Sequence, residues 1–313
     1  MNSLSIVIPV YNGALSIRAL VEELLQTLPT LTTNYEIILV EDDGRDHSWE
    51  VIQGVVQDYG ADVRAFKLMR NFGQHAALLC GIRAAQYDII VTMDDDLQHP
   101  PAEIEKLLAK LTEGYDVVYG KPAAEQHGFL RDMASQVTKL ALQNAMGADT
   151  ARSISAFRAI RTPVREAFLD YASPFVNIDV LLTWGTTRFT AIPVRHEPRK
   201  LGVSNYTIRK LITHSFNMIT GFSTLPLQIA SLTGFAMTFF GIVILFYVVG
   251  RYVLEGGTAF PGFPFLASVI AIFSGTQMFM IGIIGEYLAR MHFRTMGKPA
   301  YIVREDTHQR ETA

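Results

Sequence analysis

The strongest constraint on this chain is a stretch without charge: from Leu211 to Gly250 there is no Asp, Glu, Lys or Arg. Two apolar segments, roughly Leu225 to Val249 and Phe263 to Ile284, each reach the roughly 20 residues that a helix needs to cross a bilayer. Backbone polar groups in hydrocarbon must be satisfied within the segment, so both read as transmembrane helices. A buried hairpin inside a large soluble core is the competing reading; segment length and missing charge favour the membrane. Arg199, Lys200, Arg209 and Lys210 precede the pair and Arg290, Arg294 and Lys298 follow it, whereas only Arg251 lies between. This asymmetry puts both ends of the pair, and so both termini, on the cytoplasmic side. Ile208 to Phe222 places apolar residues on one helical face beside Arg209 and Lys210, which suits an interfacial helix or a continuation of the first span.

Ahead of the membrane the pattern changes. Short β-rich runs at Leu4 to Val10, Glu36 to Val40, Val63 to Leu68, Ile89 to Met93 and Val117 to Tyr119 alternate with amphipathic stretches at Ser16 to Leu28, Trp49 to Tyr59, His75 to Gln86 and Pro101 to Glu113. Ser16 is placed to cap the first of these helices. The β-α alternation predicts an α/β fold, an open and mostly parallel sheet with helices on both faces. Leu4 to Val10 has neither the basic flank nor the small-residue cleavage site of a signal peptide and reads as the first strand. Gly128 to Gly147 has a helical pattern, and Ile192 to His196 returns to a strand. The expected organisation is a catalytic domain over 1–206, a juxtamembrane segment over 207–224, two transmembrane helices over 225–289, and a cytoplasmic tail over 290–313 that is polar from Asp306 onward.

Ligands of open α/β sheets bind outside the carboxyl ends of the strands. That rule gathers Tyr11, Asp42, Asp43, Arg70, Asn71 and the triplet Asp94-Asp95-Asp96, each of which follows a predicted strand. Three adjacent carboxylates repel one another and call for a cation; oxygen ligands point to a hard divalent ion such as Mg2+ or Mn2+. Gln98 adds a nearby carbonyl oxygen. A carboxylate of Asp42 or Asp43 suits a base or ribose hydroxyl, although a solvated turn through Gly44 is an equal reading of that segment alone. Lys121, Arg131, Arg199, Lys200, Arg209 and Lys210 lie between this acidic region and the bilayer, where cations suit the phosphate of a lipid.

Other classes are set aside by composition and motif. A net charge of -3 argues against a general nucleic-acid binder. Cys80 is the single cysteine, which excludes an intrachain disulfide and disfavours thiolate-zinc chemistry. The chain has no nucleophile elbow, P-loop or glycine-rich dinucleotide fingerprint, and its histidines lack paired metal-ligand spacing.

Four ordered motifs then carry a resemblance: Ile6-Val7-Ile8-Pro9-Val10-Tyr11-Asn12, Val40-Glu41-Asp42-Asp43-Gly44, Arg70-Asn71-Phe72-Gly73-Gln74-His75, and Asp94-Asp95-Asp96-Leu97-Gln98-His99-Pro100. Together with the terminal helix pair they resemble the family 2 glycosyltransferases, in particular the polyprenyl-phosphate branch, over nearly the whole chain. The resemblance implies a GT-A fold and inverting transfer of a sugar from a nucleotide diphosphate, UDP in bacterial relatives, to a polyprenyl phosphate such as undecaprenyl phosphate at a bacterial inner membrane. It implies nucleotide contacts from Pro9, Tyr11, Asn12, Asp42, Asp43 and Asp94, and catalytic metal and diphosphate contacts from Asp94, Asp96 and Gln98. It places Lys121, Arg131, Ser135, Arg199, Ser204, Tyr206 and Lys210 toward the acceptor phosphate, the last four belonging with Gly202 to a basic motif beside the membrane.

The chain departs from the pattern at Gly13, where many relatives carry Glu, and at Lys121, where they carry Arg. Arg152-Ser153-Ile154-Ser155 also lacks the Asp that relatives place shortly before the Phe-Arg pair. A polymer-extending family 2 enzyme would usually show a Gln-x-x-Arg-Trp motif and more membrane helices, neither of which is evident. A non-catalytic membrane scaffold is the alternative from outside enzymes. Small residues such as Gly234 and Gly241 are compatible with helix association into a homo-oligomer.

Overall fold

A computed structural model describes residues 3–122, 154–197, 225–254 and 262–307. They fall into two compact units: an α/β domain, to which the residues from Gly297 onward belong, and a helix pair.

The α/β domain runs β1 (Leu4–Val10), α1 (Ile17–Leu31), β2 (Tyr35–Glu41), α2 (Ser48–Tyr59), β3 (Val63–Leu68), α3 (Gln74–Ala84), β4 (Ile89–Thr92), α4 (Ile104–Leu111), β5 (Val117–Pro122), β6 (Arg158–Arg161), α5 (Ile178–Gly185) and β7 (Phe189–Val194). The helix pair is α6 (Leu225–Leu254) and α7 (Phe263–Thr295), and β8 (Val303–Asp306) follows it. Eight strands form one sheet in the order β7-β5-β6-β4-β1-β2-β3-β8. The block β4-β1-β2-β3 is parallel, and β7 is parallel to β5; β6 runs antiparallel to both β4 and β5, and β8 antiparallel to β3.

Every residue of β1 is buried, which fits an apolar run covered by helices on both faces. Its one polar side chain is matched: Ser5 Oγ donates to Glu36 Oε1 at 2.7 Å and accepts from the Tyr87 amide at 3.2 Å. Helix α1 buries Ile17, Leu20, Val21, Leu24 and Leu28 along one face, with Leu25, expected on that face, only partly buried. Its start differs from expectation. Ser16 makes no side-chain capping bond; its hydroxyl donates to the carbonyl of Gly13 at 3.2 Å.

Three elements were not legible. The first is β6, only four residues long and begun by an arginine, where strand patterning is weakest. Arg158 is nonetheless 2% exposed: its guanidinium pairs with Asp179 at the start of α5 and donates from Nε to Thr92 Oγ1 at 3.1 Å. Tyr119 OH donates to the same Asp179 carboxylate at 2.9 Å. This buried network joins the end of β4 to β5, β6 and α5, and removing one charge would strand the other in a low-dielectric interior. The second is α5, capped by Asn177, whose side chain accepts from the Val180 amide. The third is β8: residues expected in a polar tail instead pair with β3, where their charges suit an exposed sheet edge. Strand β7 also begins earlier than the expected Ile192.

Within the helix pair, 18 or more residues of each helix are long and apolar enough to cross a membrane, Leu227–Val248 with mean hydropathy 2.2 and Ile272–Ala289 with 1.2. Phe235, Phe239 and Phe246 of α6 and Met278, Phe279 and Ile281 of α7 are exposed, which does not fit a buried soluble hairpin. Gly234 and Gly241 face the second helix of the same chain: a Cβ there would sit 3.1 Å from Met280 Sδ and 3.1 Å from Phe273 Cζ respectively.

Candidate active site

Three loops meet at the carboxyl edge of the parallel strands, after β1, β2 and β4. Each holds one of the non-glycine residues with positive φ among the described residues: Asn12 at 57°, Asp43 at 50° and Leu97 at 59°. Asn and Asp tolerate this conformation, whereas Leu pays a steric penalty there. Positive φ in three converging loops, with strain at Leu97, makes this edge the candidate ligand site.

After β1, Pro9 is buried within the strand and Tyr11 is 41% exposed. Asn12 Oδ1 accepts from the Arg45 amide at 2.7 Å, which ties this loop to the one after β2. Asp42 and Asp43 then diverge. Asp42 is 2% exposed, and its two carboxylate oxygens accept from the amides of Phe72 and Gly73 at 2.7 and 2.8 Å. Burial raises its pKa to about 6 against the opposing pull of those two amides. Asp43 stays half-buried at the loop surface. Behind them, Glu41 Oε1 accepts from the Gly44 amide at 2.5 Å, and burial raises this carboxyl above its ordinary range.

The acidic triplet sits half-buried just past β4. Gln74, the first residue of α3, donates from Nε2 to Asp94 Oδ1 at 2.6 Å. Asp96 Oδ1 accepts from the Gln98 amide at 3.1 Å, closing the turn in which Leu97 is strained. One oxygen of each outer carboxylate is thus fixed from within the protein. The Gln98 carbonyl accepts from the Glu197 amide at 2.8 Å, and Gln98 Nε2 lies 3.5 Å from the Glu197 carbonyl oxygen. His99, 7% exposed, stacks on Phe157 with ring centroids 5.0 Å apart and lies 4.9 Å from the ring of His196. Burial lowers its pKa to about 4, with His196 adding to the shift and Asp96 opposing it. A neutral, packed imidazole there anchors the end of the acidic loop against β6 and the exit of β7.

Among the described residues, no three His, Cys, Asp or Glu side chains are grouped so as to hold a metal ion. Asp94 and Asp96 nevertheless fit the way Mg2+ or Mn2+ is held beside phosphates, by one or two carboxylates with the remaining positions taken by water and substrate oxygens. Lys121 is exposed on β5, in register with Pro193 of β7. Arg131, Ser135, Arg199, Gly202, Ser204, Tyr206 and Lys210 lie outside the described residues. The structure therefore brings together the residues read as donor-side, with Gln74 and the Phe72 and Gly73 amides added. Gln74 was visible only as part of a motif, because no spacing rule links an amide at a helix start to a carboxylate 20 residues later.

The pattern described as Glycosyl transferase family 2 matches residues 5–168. An undecaprenyl-phosphate 4-deoxy-4-formamido-L-arabinose transferase of Yersinia pestis (strain Pestoides F) is 34% identical over 306 residues, covering 97% of this chain and 94% of the relative. The protein of the same description from Serratia proteamaculans (strain 568) is 33% identical with the same coverage. Among solved structures, glucosyl-3-phosphoglycerate synthase from Mycobacterium tuberculosis with Mn2+, UDP-glucose and phosphoglyceric acid covers 70% of this chain and 78% of its own at 17% identity and a TM-score of 0.48, too distant a likeness to carry an argument about ligands. By the matched pattern and by relatives that align along nearly its whole length, the chain belongs to glycosyl transferase family 2.

Proposed function

We propose that this glycosyltransferase moves a sugar from a nucleotide diphosphate, UDP in the first instance, to undecaprenyl phosphate at the cytoplasmic membrane face, with inversion at the anomeric carbon. The observation that carries the reading is the orientation of Asp94 and Asp96 by Gln74 and the Gln98 amide, at the strand edge where the loops after β1, β2 and β4 converge. The acceptor is supported by the names of the relatives that align with the chain from end to end, and by the two apolar helices. Those names also make 4-deoxy-4-formamido-L-arabinose the first sugar to offer.

Tyr11 and Asp43, at the ends of β1 and β2, flank the nucleotide; Asn12 holds their loops together through Arg45. Asp42 acts behind them by fixing the Phe72-Gly73 turn that positions Gln74. Asp94 and Asp96, with Gln98 beside them, present the carboxylate face toward the donor diphosphate. Bound Mg2+ or Mn2+ would neutralise charge on the leaving nucleoside diphosphate. The acceptor phosphate oxygen, anionic near neutral pH, bonds to the anomeric carbon as the bond from that carbon to the diphosphate oxygen breaks. No proton has to be removed from the nucleophile, so alignment and charge stabilisation carry the rate. Lys121 and the basic residues Arg131, Arg199 and Lys210, with Ser135, Ser204 and Tyr206, are assigned to the acceptor phosphate.

The chain leaves the α/β domain before α6 and returns to it at β8, which pairs with β3. A chain that crosses the bilayer and ends in the same sheet must cross an even number of times. This supports two spans with the catalytic domain and β8 on one side, the cytoplasmic side by the distribution of Lys and Arg.

In purified full-length protein, Asp96→Ala should reduce transfer at least about 100-fold, and excess chelator should abolish it reversibly. Undiminished transfer in either case refutes the metal assignment.

A further inference from the structure

The middle carboxylate of the triplet has a place of its own. Gly13 is buried in the loop after β1, and a Cβ built on it would lie 2.1 Å from Asp95 Oδ2 and 3.1 Å from Asp95 Cγ. The Asp95 carboxylate thus occupies the space that any side chain at position 13 would need. The backbone itself does not ask for glycine, because Gly13 is not among the glycines with positive φ.

The loop is also tied on both sides. The Gly13 amide donates to Ser48 Oγ at 2.8 Å, and Ser48 Oγ donates to Asp46 Oδ1 at 2.5 Å, which pins the loop to the start of α2. The Gly13 carbonyl accepts from the amides of Ser16 and Ile17 at 3.0 and 3.2 Å, which pins it to α1. The yielding partner is therefore the short side chain of Asp95. Displaced from Gly13, its charge stays within the triplet, where a new position alters its repulsion with the neighbouring carboxylates of Asp94 and Asp96.

We propose that Gly13 and Asp95 are a matched pair that positions the donor site: the glycine receives the middle carboxylate of the triplet, so that Asp94 and Asp96 alone face the diphosphate and the loops after β1 and β4 hold one spacing. This rests on the donor reading of Asp94 and Asp96 given above. Gly13 is thereby a positioning residue that acts through Asp95. It makes a mutational coupling that separate roles would not produce.

The test is a double-mutant cycle in purified full-length protein: Gly13→Ala, Asp95→Ala and the double variant. Each is assayed for KM of the UDP-linked sugar, half-saturating Mn2+, KM of undecaprenyl phosphate, and thermal unfolding. Gly13→Ala should raise the donor KM or the Mn2+ requirement about tenfold, with the acceptor KM unchanged, and Asp95→Ala should have an effect of about threefold or less. In the double variant the two Asp95 atoms nearest the new Cβ are gone and the next, Val10 Cγ1, lies at 3.2 Å, so donor KM should return to within about threefold of Asp95→Ala. A double variant that shows the product of the two single losses overturns the proposal, as does a Gly13→Ala enzyme with wild-type donor and Mn2+ dependence. Should Gly13→Ala fail to fold, a folded double variant supports the pair and an unfolded one overturns it. If the wild-type protein turns over no nucleotide sugar, the functional reading fails by itself, and recovery of the Gly13→Ala melting temperature in the double variant still decides the pair.

Discussion

Replacing Asp42 with Asn tests whether this carboxylate holds the loop around Gln74. In the wild-type protein both carboxylate oxygens accept backbone amides, from Phe72 and Gly73. Asn keeps one acceptor and turns an NH2 group toward the other amide, which leaves a buried donor without a partner at a cost of about 1–3 kcal/mol. The size of the loss depends on pH. Burial raises the Asp42 pKa from 3.8 to about 6, so the folded protein binds this proton more tightly than the unfolded chain does. Stability from this group is therefore full below pH 3.8 and is lost as pH rises through about 6.

Between pH 8 and pH 5 the linkage contributes about 1.4 kcal/mol in favour of the acidic condition. For a domain of this size that corresponds to a melting shift of about 3–6 °C. Asn has no proton to bind, so the deficit of Asp42→Asn relative to wild type should be larger at pH 5 than at pH 8 by about that shift. His99, which burial pushes in the opposite direction, is common to both proteins and cancels in the difference. Thermal unfolding of both proteins in one detergent at the two pH values is the assay. Parallel melting curves, with a deficit independent of pH, would refute the raised pKa of Asp42, and the absence of a deficit at either pH would refute its role as a loop tie.

Two further substitutions probe the supports of the site. Arg158→Met should destabilise the α/β domain by about 3–5 kcal/mol by leaving the Asp179 carboxylate buried without its cation, and Arg158→Met combined with Asp179→Leu should be milder than the single change; equal melting temperatures for Arg158→Met and wild type would refute this. Gln74→Ala removes the 2.6 Å bond that orients Asp94, so half-saturating Mn2+ in the transfer assay should rise about 10-fold to 100-fold with the melting temperature little changed.

What could be read from sequence follows the strength of local signals. The strands β1 to β4 and the helices between them were legible because buried parallel strands are uniformly apolar and their covering helices carry clean stripes. The same logic placed Asp42, Asp43 and Asp94 to Asp96 at one sheet edge, since a parallel sheet puts every strand's carboxyl end on one side. Elements whose residues are chosen by long-range pairing were opaque. Arg158 looks like a surface residue until Asp179 and Tyr119 are beside it, and Val303 to Asp306 reads as a polar tail until it meets β3. Asp42 and Asp43 are neighbours of one residue type in sequence, yet one faces inward to two amides and the other lies at the loop surface. Gly13 stood out in the sequence only as a departure from the family pattern; that a Cβ there would meet the Asp95 carboxylate is something no spacing in the chain reveals.

The most direct test of the account is the product formed by membranes containing the full-length chain when supplied with undecaprenyl phosphate, Mn2+ and radiolabelled nucleotide sugars, UDP-4-deoxy-4-formamido-L-arabinose first and other UDP- and GDP-sugars after it. The expected result is label in an organic-extractable glycosyl lipid phosphate, dependent on the added lipid and on divalent metal, and absent with Asp96→Ala. Label that stays in the aqueous phase with every donor, or a glycolipid that forms equally well with Asp96→Ala, would contradict it.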